Sequence, residues 1–124
     1  MKKLLLIATM LLMFGAANAQ QIGDVQQKGT WLYSYDGSHE VGHFSIGSSD
    51  VFLGFSSTIV VVQKGSGSGI WIYSYDAKGH EQGHFSIGSS DVFRSVNGNY
   101  INIKKGSWIY TYDVRGHEIS HRSL

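Results

Sequence analysis

Residues 71–84 read Trp-Ile-Tyr-Ser-Tyr-Asp-Ala-Lys-Gly-His-Glu-Gln-Gly-His. The first six alternate, with Trp71, Tyr73 and Tyr75 on one side and Ile72, Ser74 and Asp76 on the other. Period-two alternation of aromatic and β-branched residues marks a strand. Asp76-Ala77-Lys78-Gly79-His80 reads as a hairpin turn with Gly in the left-handed position, which sets Asp76 opposite His80. Alternation resumes from His80 to Ile87, so the stretch is a two-stranded ribbon. Continued without interruption, this register faces Tyr73 with Gly83 and Trp71 with Phe85, and makes the aromatic side the core side. Ser74, Asp76, His80, Gln82 and His84 then form a polar side.

The ribbon recurs. Trp31–Asp36 and Trp108–Asp113 repeat the strand, and each copy is followed by His-Glu-x-x-His, at 39–43, 80–84 and 117–121. The first two copies continue identically as Phe-Ser-Ile-Gly-Ser-Ser-Asp-Val-Phe, at 44–52 and 85–93. The Trp residues are 40 and then 37 positions apart, and the excess falls in the Gly-Ser stretch 65–69, which predicts a loop tip there. In copy one, Asp36-Gly37-Ser38-His39 is a residue shorter. A type II′ turn starting at Gly37 keeps Asp36 opposite His39. Asp91–Val96 and Tyr100–Lys104 are two further strands joined at Asn97-Gly98, a strong hairpin signal.

Ile59–Val62 is the most apolar strand of copy one, and Asp24–Gly29 looks like the last strand of an incomplete earlier copy. The fold expected is all-β, an antiparallel meander of about 11 short strands in four-strand, propeller-blade-like units. Units are expected at approximately 30–65 and 70–106, with a partial unit at 107–124 and a lone strand at 24–29. Zero Pro and 16 Gly suit this reading. Two complete units are too few for a ring. An exposed sheet end leaves backbone groups unpaired, so closure within the chain or by homo-oligomerisation is expected.

Ahead of the repeats, Lys2 and Lys3 precede an apolar run from Leu4 to Met13 and the small-x-small site Ala17-Asn18-Ala19. This is the layout of a cleaved signal peptide, residues 1–19, and predicts a secreted or periplasmic domain at 20–124. The run is too short for a membrane anchor, and no second segment reaches spanning length. Loss of Lys2 and Lys3 takes Lys plus Arg from 10 to 8 against 9 acidic residues, a net charge of −1. With no basic excess, a nucleic-acid partner is not expected. With no Cys there is no disulfide, thiolate metal site, Cys nucleophile or lipid-bearing Cys.

His-Glu-x-x-His serves zinc proteases because a helix puts both His on one face, with Glu as general base. On a strand, at about 3.3 Å per residue, the two His of one motif stand about 13 Å apart and cannot share one ion. The unbroken register also points the Glu away from them. Zinc-dependent hydrolysis is therefore the alternative, and the leading expectation is a non-enzymatic module without a cofactor. A softer metal reading lets His of different copies converge, with Asp36, Asp76 or Asp113 orienting them. The simpler reading is that each Asp–His pair ties down its own hairpin. The candidate ligand-binding residues are Asp36, His39, His43, Asp76, His80, His84, Asp113, His117 and His121.

All six His follow the leader, so mild acidification moves the net charge from −1 towards +5. The Trp and Tyr stripes are expected mainly as core, with a glycan platform as the rival reading. Ser48-Ser49-Asp50 and Ser89-Ser90-Asp91 read as turn chemistry, since no Gly-x-Ser-x-Gly elbow is present.

The Lys-Gly-x-Trp-x-Tyr-x-Tyr-Asp-x-x-Gly pattern, fullest within 104–116, resembles several hairpin-repeat families. These are the tryptophan-glycine-type repeats, the tyrosine-aspartate repeats, and the aromatic hairpins of bacterial choline- and glucan-binding modules. There is no Trp-Gly pair, and the unit is double the length of a choline-binding hairpin. The resemblance covers most of the chain after the leader and implies an extracellular β-repeat module, without carrying over ligand residues. The leader, ending in Ala-Gln-Gln, looks bacterial. The function expected is partner or ligand binding, to a glycan or an envelope protein, or self-assembly.

Overall fold

The structure, a computed structural model, describes residues 21–65 and 69–124; the expected signal peptide, and residues 66–68 of the expected loop tip, lie outside the described residues. Eleven strands follow one another: β1 (Asp24–Lys28), β2 (Trp31–Asp36), β3 (His39–Ser45), β4 (Val51–Phe55), β5 (Val60–Lys64), β6 (Ile70–Tyr75), β7 (Glu81–Ile87), β8 (Val92–Asn97), β9 (Tyr100–Lys105), β10 (Trp108–Tyr112) and β11 (Glu118–Ser123). They form three antiparallel meander sheets, β1-β2-β3, β4-β5-β6-β7 and β8-β9-β10-β11. Among the described residues there is no helix long and apolar enough to cross a membrane.

The sheets are phased differently from the sequence units. Each sheet ends on its His-bearing strand, so the stretches 30–65 and 70–106 each give two strands to one sheet and two to the next. The lone strand β1 is the partner of β2 in the first sheet. It does not pair with β11, and the first and last sheets are not joined into a ring among the described residues.

Two-residue turns begin with Gly at positive φ, as at Gly37 (φ 65) and Gly98 (φ 58). The Gly37 turn is as expected for type II′, with Asp36 opposite His39. At the other, Asn97 ends its strand opposite Tyr100, so Gly98-Asn99 is the loop and Gly98 takes the strained first position. In the longer turns Gly79 and Gly116 are at φ 92, and Asp76 N donates to the His80 carbonyl at 2.9 Å, as Asp113 N does to His117.

Two apolar layers glue the three sheets. One joins Val25, Leu32 and Ile46 of the first sheet to Val60, Val62 and Tyr75 of the second. The other joins Ile59, Val61, Ile72, Phe85 and Ile87 of the second to Ile101, Ile103 and Tyr112 of the third. The middle sheet is thus covered on both sides. That is why 59–62 is an unbroken apolar run rather than an alternating one.

The face expected to be core is inverted over most of each ribbon. A β-bulge interrupts each His strand, with Val41, Gln82 and Ile119 as the extra residues. Beyond the bulge Tyr73 faces His84, Ser74 faces Gly83 and Ile72 faces Phe85, a slip of one residue from the uninterrupted register. A one-residue slip sends every later side chain to the opposite face. Leu32, Ile72 and Ile109 are consequently buried, whereas Trp31, Trp71 and Trp108 are 44%, 41% and 43% exposed. Only Tyr75 and Tyr112 of the aromatic stripe are buried, each by stacking on the preceding sheet: Tyr75 on Phe44 at 4.2 Å and Tyr112 on Phe85 at 3.8 Å.

Candidate functional site

The bulge builds the same side-chain group three times. On each sheet the second His of the motif packs beside the middle Tyr and the Trp, stacked on the Tyr in the second and third sheets and tilted in the first. His84 lies 4.8 Å from Tyr73 and 5.5 Å from Trp71 between ring centres. His121 lies 5.1 Å from Tyr110 and 5.5 Å from Trp108. His43 lies 5.5 Å from Tyr33 and 5.6 Å from Trp31. The motif Glu turns to the same face and takes the imidazole Nδ1, at 2.7 Å for His43–Glu40 and His84–Glu81 and 2.8 Å for His121–Glu118. This corrects the expectation that the Glu points away. The extra residue lies between Glu and His and restores them to one side.

A lysine closes the other flank. The ammonium of Lys28, Lys64 or Lys105 lies over Tyr33, Tyr73 or Tyr110 at 5.1, 4.9 or 5.0 Å. Asp50 and Asp91 approach Lys64 and Lys105 at 3.7 and 3.8 Å. Partial burial works against the charge on Lys64. Its hydrogen bond to Tyr75 and its attraction to Tyr75, Asp50 and Tyr73 outweigh this and raise its pKa. For Lys105, burial again opposes the charge, and Tyr112, Asp91 and Tyr110 more than compensate. Each rung therefore runs Lys, Tyr, His, Glu across three strands, with a half-exposed Trp beside it.

The nine sequence candidates divide into two unrelated groups. His43, His84 and His121 belong to the rungs. Asp36, Asp76 and Asp113 belong to the turns with His39, His80 and His117, on the opposite face from the rung His. Asp76 Oδ1 accepts from Lys78 N and His80 N at 2.9 Å each, and Asp113 Oδ1 accepts from Arg115 N and His117 N at 3.0 and 2.9 Å. Those carboxylates tie down their own hairpins, with His80 and His117 at 3.3 and 3.7 Å. The expectation of one polar face shared by both His of a motif is thus overturned by the same bulge. A strand in this register does not bring the two imidazoles of one motif to a common ion. Among the described residues no three His, Asp or Glu side chains gather as a metal-holding group. Asp50 and Asp91 accept from Gly47 N and Gly88 N at 2.7 Å, which is the turn role read from Ser-Ser-Asp.

The sequence pattern does not single out the rung Glu and Lys residues, and it places the Trp residues mainly in the core. The available signal was the glycine within each strand, Gly42 and Gly83, since a lone strand glycine marks a bulge or a close backbone approach. Both occur here. Comparison with family models, with curated proteins and with solved structures finds no match.

Proposed function

We propose that the chain is an exported, non-enzymatic β-repeat module that binds a neutral glycan along its three Trp–Tyr–His rungs, its sheets serving as propeller-blade-like units. The observation that carries this reading is the half-exposure of Trp31, Trp71 and Trp108, each set in the same company of Tyr, His, Glu and Lys. An indole in water presents an apolar face that fits the C–H side of a pyranose. The second imidazole nitrogen, the Glu carboxylate and the Lys ammonium stand around it to meet hydroxyls. One lysine meets one carboxylate in the first rung and two in the others, where Asp50 and Asp91 join, so no rung has the lysine excess that an anionic ligand would call for. The buried layers account for cohesion without these indoles, so their threefold repetition supports a contact role.

The test is tryptophan fluorescence of the purified protein titrated with soluble neutral polysaccharides, namely a β-glucan, a mannan and a xylan. Saturable quenching by one of them is expected, with loss of at least tenfold in affinity in the Trp31→Ala/Trp71→Ala/Trp108→Ala variant. Quenching by none of the three, or unchanged affinity in that variant, overturns the reading.

A further inference from the structure

We infer that the sheets are joined by a turn-on-glycine docking surface whose only partner is the next sheet of the same chain, and that this surface is closed at both outer ends. The stack then stops at three sheets and presents three rungs as one discrete unit.

The joint has the same backbone packing in both places where it occurs, though Ser34 Oγ, the counterpart of Ser74, is buried at the first without a hydrogen-bond partner. The turn of the incoming sheet lies across the His strand of the sheet before it. A Cβ added at Gly42 would stand 2.5 Å from Lys78 Cα, and one at Gly83 would stand 2.5 Å from Arg115 Cα and from the Val114 carbonyl oxygen. Only glycine admits the incoming backbone. Beside each glycine, Phe44 or Phe85 receives the incoming Tyr75 or Tyr112. Ser74, under Gly83, donates to the Val114 carbonyl at 2.7 Å. The donor turns are the long ones, with Gly79 and Gly116 against His43–Phe44 and His84–Phe85.

On the last sheet the central row of the receptor face has changed throughout. The row Gly54, Val61, Ser74, Gly83 across the second sheet becomes Ser95, Asn102, Thr111, Ser120 across the third. Ser120 carries the Cβ that the joint cannot hold, and Arg122 stands where Phe85 receives a tyrosine. The new row satisfies itself: Asn102 Nδ2 donates to Ser95 Oγ at 3.1 Å, and Thr111 Oγ1 donates to Asn102 Oδ1 at 2.6 Å. Leu53 is matched by Arg94 and Ile59 by Tyr100, while Ile72 and Ile87 keep apolar counterparts in Ile109 and Leu124.

The first sheet is altered on its opposite face. Val60 and Val62, which enter the layer from the second sheet, correspond to Asp24 and Gln26. The donor turn has lost a residue, and a Cβ added at Gly37 would meet nothing within 4 Å, unlike one at Gly79 or Gly116. Capping of a repeat stack by polar outer faces is how such arrays avoid end-to-end growth.

Light scattering tests this on the purified protein across a hundredfold concentration range. The wild type is expected to hold the mass of one chain throughout. The variant Arg94→Leu/Asn102→Val/Ser120→Gly/Arg122→Phe, which restores the receptor face, combined with Asp24→Val/Gln26→Val and Ala-Lys-Gly in place of Gly37-Ser38, which restore the donor face, is expected to gain mass with concentration. A wild-type mass that climbs in whole-chain steps would show a polar head-to-tail contact and overturn the proposal. A restored variant that is folded by circular dichroism yet stays at one chain would overturn it too. Should that variant fail to fold, the same donor-face changes with Ser120→Gly/Arg122→Phe alone are read the same way.

Discussion

Two neighbouring residues of β7 live in opposite worlds. Gly83 disappears beneath the 114–116 turn of the third sheet, while His84 stands out on the rung with Trp71 and Tyr73. The first position is all packing and admits no side chain. The second touches its own sheet and solvent. The same division runs through β6, where Ile72 is buried and Trp71 is not. It teaches that the repeat divides cohesion from contact between adjacent positions, so that substitutions at the two kinds of position should fail differently.

The largest effect expected is at Ile72. Ile72→Ala leaves a cavity in the layer between the second and third sheets and should cost about 2–5 kcal/mol in urea unfolding. Gly83→Ala comes next, at about 1–3 kcal/mol, since the added methyl meets backbone that must shift. Part of that is offset because alanine narrows the unfolded ensemble by about 0.4–1 kcal/mol. The matching change Ser120→Ala, at the uncovered end, should stay within about 0.5 kcal/mol. Equal costs at 83 and 120 would break the comparison.

Trp71→Ala should lower stability by only about 1 kcal/mol, because the indole is half exposed, while removing the proposed contact. A loss as large as that of Ile72→Ala would return the aromatic stripe to the core.

How far the sequence told these faces apart depends on what each element needs. Strand number, order and the Asp-x-x-Gly and Gly-x turns were legible, because alternation and left-handed glycines are local signals. The Asp50 and Asp91 turns were legible for the same reason. The faces were not, because they hang on one extra residue per ribbon, Val41, Gln82 or Ile119, and alternation on either side of it looks continuous. Placing that residue needs the partner strand and the next sheet: Gly42 and Gly83 make sense only once a neighbouring turn lies on them. The unit boundaries were shifted for a related reason. Sequence identity marks where copies repeat, whereas sheets end where the hydrogen bonding does.

The smallest effect concerns the lysines that join the exposed and the buried ends of the aromatic stripe. Lys64 lies over rung Tyr73 and also meets buried Tyr75, and Lys105 does the same with Tyr110 and Tyr112. Both have pKa values raised by folding, after burial has been overcome by their tyrosine and aspartate partners. A cation whose pKa rises on folding stabilises the native state fully below its unfolded value and loses that contribution as pH climbs through the folded one. With an unfolded lysine near pH ~10.4, the melting temperature should be flat below that pH and fall above it. Lys64→Met/Lys105→Met should shift the neutral-pH melt little, since exposed pairs contribute modestly, and should flatten the alkaline fall. An alkaline fall of unchanged size in that variant would detach the lysines from the fold and leave Tyr75 and Tyr112 held by Phe44 and Phe85 alone.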